Sequence, residues 1–141
     1  MPSEARAFMI VGNDRLQSED RMANSWQDVV AIAMGFPEVE ETTSYGTPSL
    51  KVRGKLFARL RTEKDSPYQL MLRCDPEQKD FLLQTGDPAF GTEPHYDGYP
   101  AILIRMDLIE RDHLADLIED AWRIQAPVRV RKTWDAREGI S

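Results

Sequence analysis

Apolar residues recur at helical spacing in three stretches of the chain and alternate at strand spacing in five. The first helix starts after Ser25, whose hydroxyl can cap the Trp26 turn. Asp28 follows three residues on as the reciprocal acid of a capping box. Val29, Val30, Ile32 and Ala33 supply its apolar side before Gly35, and Pro37 bars continuation. Asp75-Pro76-Glu77-Gln78 announces the second helix, with Asp75 as cap and Pro76 at the first helical position. It runs through Phe81, Leu82 and Leu83 to a stop near Gly86. The third spans about 110 to 125, where Leu114, Leu117, Ile118, Ala121, Trp122 and Gln125 share a helical face, and Pro127 closes it. Strands are predicted at 48–52, 55–62, 67–74, about 90–95 and 100–106.

The resulting order is helix, three strands, helix, two strands, helix. Hairpins and short crossovers predict one mostly antiparallel sheet with helices on one face, an α+β domain over residues 24–127. Residues 1–23 carry no sustained apolar period beyond Phe8-Met9-Ile10-Val11 and read as a loosely ordered extension. Residues 128–141 read as a basic tail bearing Trp134, an aromatic expected to be more exposed than Trp26 and Trp122.

A parity argument assigns the faces of the first hairpin. Partners in an antiparallel pair have a constant index sum, so placing Leu50 and Val52 beside Leu56, Ala58 and Leu60 requires an even sum. The loop is then Arg53-Gly54-Lys55. Carried to the next strand, the same logic turns Tyr68, Leu70, Leu72 and Cys74 inward. Lys51, Phe57, Arg59, Arg61, Gln69, Met71 and Arg73 face outward, with Arg53 and Lys55 at the hairpin tip. That outward set is basic with aromatic and thioether residues interleaved. It suits phosphate contacts or an interaction surface, and it equally describes the wet side of an antiparallel sheet.

Charge sharpens this picture. The 141 residues carry a net −6, yet residues 51–61 contribute +5 and residues 123–137 contribute +4, leaving −15 on the remainder. Wholesale electrostatic capture of nucleic acid is excluded, and binding, if present, is confined to the hairpin face and tail. At this length a core can form without staples. The single Cys74 excludes a disulfide framework or a cysteine zinc site. No apolar run approaches a membrane span and no signal-peptide pattern opens the chain, so a soluble cytoplasmic protein is expected.

Chemistry-bearing residues are few. Pro94-His95-Tyr96-Asp97-Gly98-Tyr99-Pro100 is a rigid turn in which His95 and Asp97 could form an imidazole–carboxylate pair, with Tyr96 close by. No nucleophile motif or glycine-rich phosphate loop accompanies it, so no catalytic residue, cofactor or metal is assigned. Asp112, Asp116, Glu119 and Asp120 stripe the third helix, an arrangement expected of a solvated face.

Several segments together resemble the MmcQ/YjbR-like family: Glu38-Val39-Glu40-Glu41, Thr43-Ser44-Tyr45-Gly46-Thr47-Pro48, Lys51-Val52-Arg53-Gly54-Lys55-Leu56-Phe57-Ala58, the 94–100 turn and Asp120-Ala121-Trp122. The resemblance covers about residues 25–127. It implies a two-layer α+β sandwich similar to secretion-chaperone-like folds, and a small bacterial, non-enzymatic, DNA-binding protein without cofactor. The leading expectation is therefore DNA binding, with Lys51, Arg53, Lys55, Arg59, Arg61 and Arg73 to phosphates and Phe57 to a base or sugar, aided by Arg129, Arg131 and Lys132. A protein-interaction or chaperone-like module using Phe57 and Met71 is the alternative. A small-molecule or acid–base pocket at Tyr45, His95, Tyr96 and Asp97 is the third reading.

Overall fold

The structure, a computed structural model, describes residues 24–44 and 46–138. The extension expected over 1–23 and the candidate pocket residue Tyr45 lie outside the described residues. Helix α1 (Trp26–Ala33) begins with the predicted capping box. Asp28 Oδ2 accepts from the Ser25 amide at 2.8 Å, and Ser25 Oγ accepts from the Asp28 amide at 3.4 Å. Four strands follow: β1 (Val39–Ser44), β2 (Thr47–Val52), β3 (Lys55–Leu60) and β4 (Leu70–Arg73). Helix α2 (Pro76–Gln84), β5 (Phe90–Gly91), a 3-10 turn at Pro94–Tyr96, β6 (Ala101–Ile104), α3 (Arg111–Gln125) and α4 (Val128–Arg137) follow among the described residues. Pro76 opens α2 as expected. Asp75 occupies the cap position with extended backbone, but its side chain makes no capping hydrogen bond.

The six strands form one antiparallel sheet in the order β1-β2-β3-β4-β6-β5. The fold is α+β. It departs from the expected order by one strand, β1, and one helix, α4. β1 escapes the alternation test because it is an edge strand whose Glu40, Glu41 and Thr43 are exposed. α4 is the segment expected as a tail. Val130 anchors it in the core, and Trp134, four residues on, meets Phe36 and Trp122 edge-on at ring-centroid distances of 5.1 and 6.2 Å. Trp134 is therefore half-buried rather than free.

The main core lies between one sheet face and helices α1 and α3. Val29, Leu50, Val52, Leu70, Leu72, Ile102 and Ile104 meet Leu114, Ile118 and Trp122 there, all fully buried. Two polar bonds tie aromatic residues of this layer to the backbone and to β1. Trp122 Nε1 donates to Pro37 O at 3.1 Å, and Trp26 Nε1 donates to Glu41 Oε2 at 3.1 Å.

The β2–β3 hairpin differs from the parity prediction in an instructive way. Its loop is two residues, with Val52 paired to Lys55 and with Arg53 and Gly54 at φ of 51° and 82°, the signature of a type I′ turn. The register then shifts. Lys51 pairs with Leu56, but Leu50 pairs with Ala58, leaving Phe57 as an extra residue in a β-bulge. The even sum required by the apolar pattern is thus reached beyond the bulge instead of through a longer loop. Phe57 and Ala58 both enter the main core at 0% exposure, and Leu56 turns to the opposite face.

That opposite face is not open. The connection between β5 and β6 crosses it, and Tyr96 packs with Met71, Ala101 and Leu103 in a second apolar cluster flanked by Leu56 and Tyr68. Tyr68 therefore lies on this face, not in the main core as the alternation implied. Its ring fills the space a side chain at Gly91 would take.

Candidate functional site

Alternation along β3 and its continuation points Arg59, Arg61 and Glu63 to the second face. There the turn at Pro94–Tyr96 arches over them, and Arg59 and Arg61 are 8% and 5% exposed. The Arg59 guanidinium donates to Thr47 Oγ1 at 3.1 Å, to the Tyr96 hydroxyl at 3.1 Å and, weakly, to Glu63 Oε2 at 3.4 Å. Arg61 Nη1 donates to Ser66 Oγ at 2.8 Å and to the Tyr68 carbonyl at 3.0 Å. Its Nη2 donates to Glu93 Oε1 at 2.7 Å and sits 3.2 Å from Glu63 Oε2. Arg61 Nε is buried without a hydrogen-bond partner.

These groups wall a cavity of about 760 Å³ between β2, β3, β4 and the 93–99 segment. Leu56, Met71, Tyr96 and Tyr99 form its apolar and aromatic sides, with His95 and Thr62 also lining it. Size and composition match a small-molecule site, apolar walls with a few convergent polar groups. Burial opposes the charge of Arg59, but the Tyr96 hydroxyl and Glu63 outweigh it and raise its pKa. Burial likewise pushes the Glu63 carboxyl up. Arg61, backbone amides and Arg59 outweigh this and hold it below the ordinary carboxylate value.

The turn above the cavity is braced from beneath. Lys79 on α2 is 8% exposed, and its Nζ donates to the carbonyls of Tyr96 at 2.6 Å and Tyr99 at 2.9 Å. The proposed His95–Asp97 pair is absent: both residues are exposed and share no hydrogen bond, because the 3-10 turn points them to solvent while Tyr96 turns inward. His95 instead meets the Tyr96 ring edge-on at 5.1 Å, at the cavity rim.

The seven residues expected on a basic open face are divided by the structure. Phe57 is in the main core through the bulge, and Arg59 and Arg61 are enclosed beneath the 93–99 segment, so that face is neither open nor aromatic at Phe57. Met71, also expected to face outward, does so but is 2% exposed. Lys51 and Arg73 are half-buried, while Arg53 and Lys55 are exposed at the hairpin tip. Arg53 pairs with Glu38 at 3.0 Å, and Arg73 lies over the Tyr99 ring at 5.3 Å.

Sequence reasoning did not find Glu63, Glu93, Thr47 and Tyr99 as partners of the arginines. For Glu63 a signal existed, since Arg59, Arg61 and Glu63 are spaced by two along one strand direction. Elsewhere, Cys74 is buried, as its strand position implied. Burial lifts its thiol to about 11 against the opposing influence of Lys79. In the acidic stripe of α3, Glu119 pairs with Arg123 at 2.9 Å and Asp120 accepts from Gln78 at 3.0 Å. Among the described residues no three His, Cys, Asp or Glu side chains converge as a metal site, and no helix is long and apolar enough to cross a membrane.

Comparison with known proteins accords with this architecture. Uncharacterised proteins of Mycobacterium bovis and Mycobacterium tuberculosis are each 31% identical over 127 residues, an alignment covering 82% of this chain and 98% of the relative. A crystal structure of a Deinococcus radiodurans protein of the DUF419 domain superposes with a TM-score of 0.64 at 17% identity. It covers 85% of this chain and 91% of that one, a likeness of fold. The YjbR family model matches residues 34–124, from the end of α1 almost to the end of α3, and the chain belongs to the YjbR family.

Proposed function

We propose that this protein is a non-enzymatic binding module whose ligand is a small organic molecule held in the cavity of the second sheet face. One observation carries the reading: two adjacent arginines are enclosed in the cavity wall beside an aromatic surface. Enclosing guanidinium groups is costly, and an apolar pair of similar volume would serve the fold at least as well. Their presence in a cavity of ligand size supports a recognition role. The reading is tested by ligand-observed NMR with a library of small acids, amides and alcohols against the wild-type chain and Leu56→Trp, which fills the cavity from its rim. Binders lost in Leu56→Trp are expected. A library without binders, or binders indifferent to the substitution, refutes the proposal.

DNA binding is the second reading, supported by a different observation. Gln125 Nε2 donates to the Leu56 carbonyl at 2.8 Å, tying the start of β3 to the end of α3 three residues before α4 begins. The exposed hairpin tip, Arg53 and Lys55, therefore lies at the same end of the molecule as Arg129 and Lys132 of α4, both exposed. Four phosphate contacts correspond to a log–log salt slope of about −3 to −4 on duplex DNA. Fluorescence anisotropy with labelled duplex gives a flat salt response, or no binding at low salt, if this reading is wrong.

A further inference from the structure

The cavity wall sets an unused donor and a loosely held acceptor around one nitrogen atom. Tyr96 is 6% exposed, and its hydroxyl oxygen accepts from Arg59 Nη2 at 3.1 Å. Among the described residues no group takes the hydroxyl's own proton, so this buried phenol keeps an unused donor. Accepting from a guanidinium polarises the O–H and makes it a better donor. Glu63 supplies the acceptor. Its Oε1 takes the Thr62 amide at 3.0 Å, whereas Oε2 takes a long bond of 3.4 Å from the same Arg59 Nη2 and lies 3.2 Å from Arg61 Nη2. With its side chain 45% exposed, Glu63 has room for a shorter partner at Oε2.

Building on the ligand-binding reading above, we infer that the cavity takes a cis amide, a lactam ring or a primary carboxamide, carried on an apolar or aromatic body. The amide carbonyl accepts from the Tyr96 hydroxyl while the amide N–H donates to Glu63 Oε2. Both protein atoms lie within 3.4 Å of Arg59 Nη2, so the ligand's acceptor and donor must stand side by side on one edge. An ordinary secondary amide is trans and points its N–H away from its carbonyl, whereas a lactam ring holds the two on the same edge. The site thus reads a donor–acceptor pattern. An ester or ketone lacks the N–H for Glu63, and a carboxylate sets a second anion against it. Leu56, Met71 and the Tyr99 ring form the apolar side that meets the body of the ligand.

The test is calorimetric titration of the full chain with isoquinolin-1-one and with isocoumarin, using wild type, Glu63→Ala and Tyr96→Phe. Isocoumarin has the same shape and carbonyl, with a ring oxygen in place of the N–H. Wild type is expected to bind the lactam about tenfold more tightly than isocoumarin, the lower end for a hydrogen bond to a charged acceptor. Glu63→Ala is expected to abolish that preference. Tyr96→Phe keeps the ring and is expected to weaken both probes about fivefold, because both carry the carbonyl. Equal affinity of the two probes for wild type, a preference that survives in Glu63→Ala, or unchanged binding in Tyr96→Phe overturns the amide edge, while library binders lost in Leu56→Trp keep the broader reading intact. If the lactam does not bind wild type, the amide class falls, and if the library also yields no binder lost in Leu56→Trp, the broader reading falls with it.

Discussion

Phe57→Ala separates a core residue from a surface residue, the point on which the bulged and the unbroken registers of β3 differ. The bulge between β2 and β3 sends Phe57 into the main core, where its exposure is 0%. Truncating a buried Phe to Ala removes its transfer free energy and leaves a cavity, together costing about 3–5 kcal/mol. For a chain of 141 residues the unfolding entropy near the midpoint is about 0.3 kcal/mol/K, so the expected fall in Tm is about 10–17 °C. Urea denaturation followed by tryptophan fluorescence reads the same loss as a lower midpoint at unchanged slope. An exposed Phe57 on an interaction face would instead cost less than about 0.5 kcal/mol on truncation. A loss below about 1 kcal/mol, coupled to weaker binding of DNA or a protein, would therefore refute the bulged register and restore the unbroken alternation.

Gly91→Ala is expected to destabilise by about 1–3 kcal/mol because the new Cβ would fall within the Tyr68 ring. Tyr68→Ala in the same chain should recover part of the loss in thermal melts, and strict additivity of the two changes would contradict the contact. Lys79→Met removes the ammonium shared by the Tyr96 and Tyr99 carbonyls and leaves them the Tyr99 and Ala101 amides as donors, so the loss is that of the charge-assisted bonds, about 1.5–3 kcal/mol. Faster amide exchange across residues 96–99 than in wild type is the accompanying sign. The Glu63 carboxyl is held below its ordinary value of 4.5, so its contribution is complete above that pH and fades as pH falls through the lowered value. Denaturation midpoints of wild type and Glu63→Gln should thus converge on acidification below about pH 4.5. Midpoints whose gap stays constant from pH 6 to pH 3 would remove the ion pairs from the account.

The helices were legible because their determinants are local. The Ser25–Asp28 box, Pro76 at a first turn and the Leu114-to-Trp122 face each lie within one or a few turns of chain. α4 was not, since only Val130 of its ten residues is fully buried and its anchoring depends on Phe36, far away in sequence. β1 carries no apolar alternation because its outer side meets solvent. Strand alternation correctly sent Arg59, Arg61 and Met71 to the second face. It could not reveal their burial, which the 93–99 segment imposes from more than twenty residues downstream. Phe57 was misplaced for a related reason. The bulge restores the predicted parity from Ala58 onward and reverses it between the turn and Phe57, and nothing in Lys55-Leu56-Phe57-Ala58 marks where the extra residue falls.

Edge strand β1 has a further consequence. Among the described residues its outer hydrogen-bonding groups face no other strand, and at the opposite edge β5 is only two residues long. Glu40 and Glu41 are exposed on β1, so a second molecule adding its own β1 in a register centred on these residues would set carboxylates against each other. Like-charge repulsion at one border and brevity at the other guard the sheet against runaway strand addition. Replacing Glu40 with Val or Thr, with Glu41 kept as the acceptor of the Trp26 indole, would remove half of that repulsion and expose a template for fibrillar assembly.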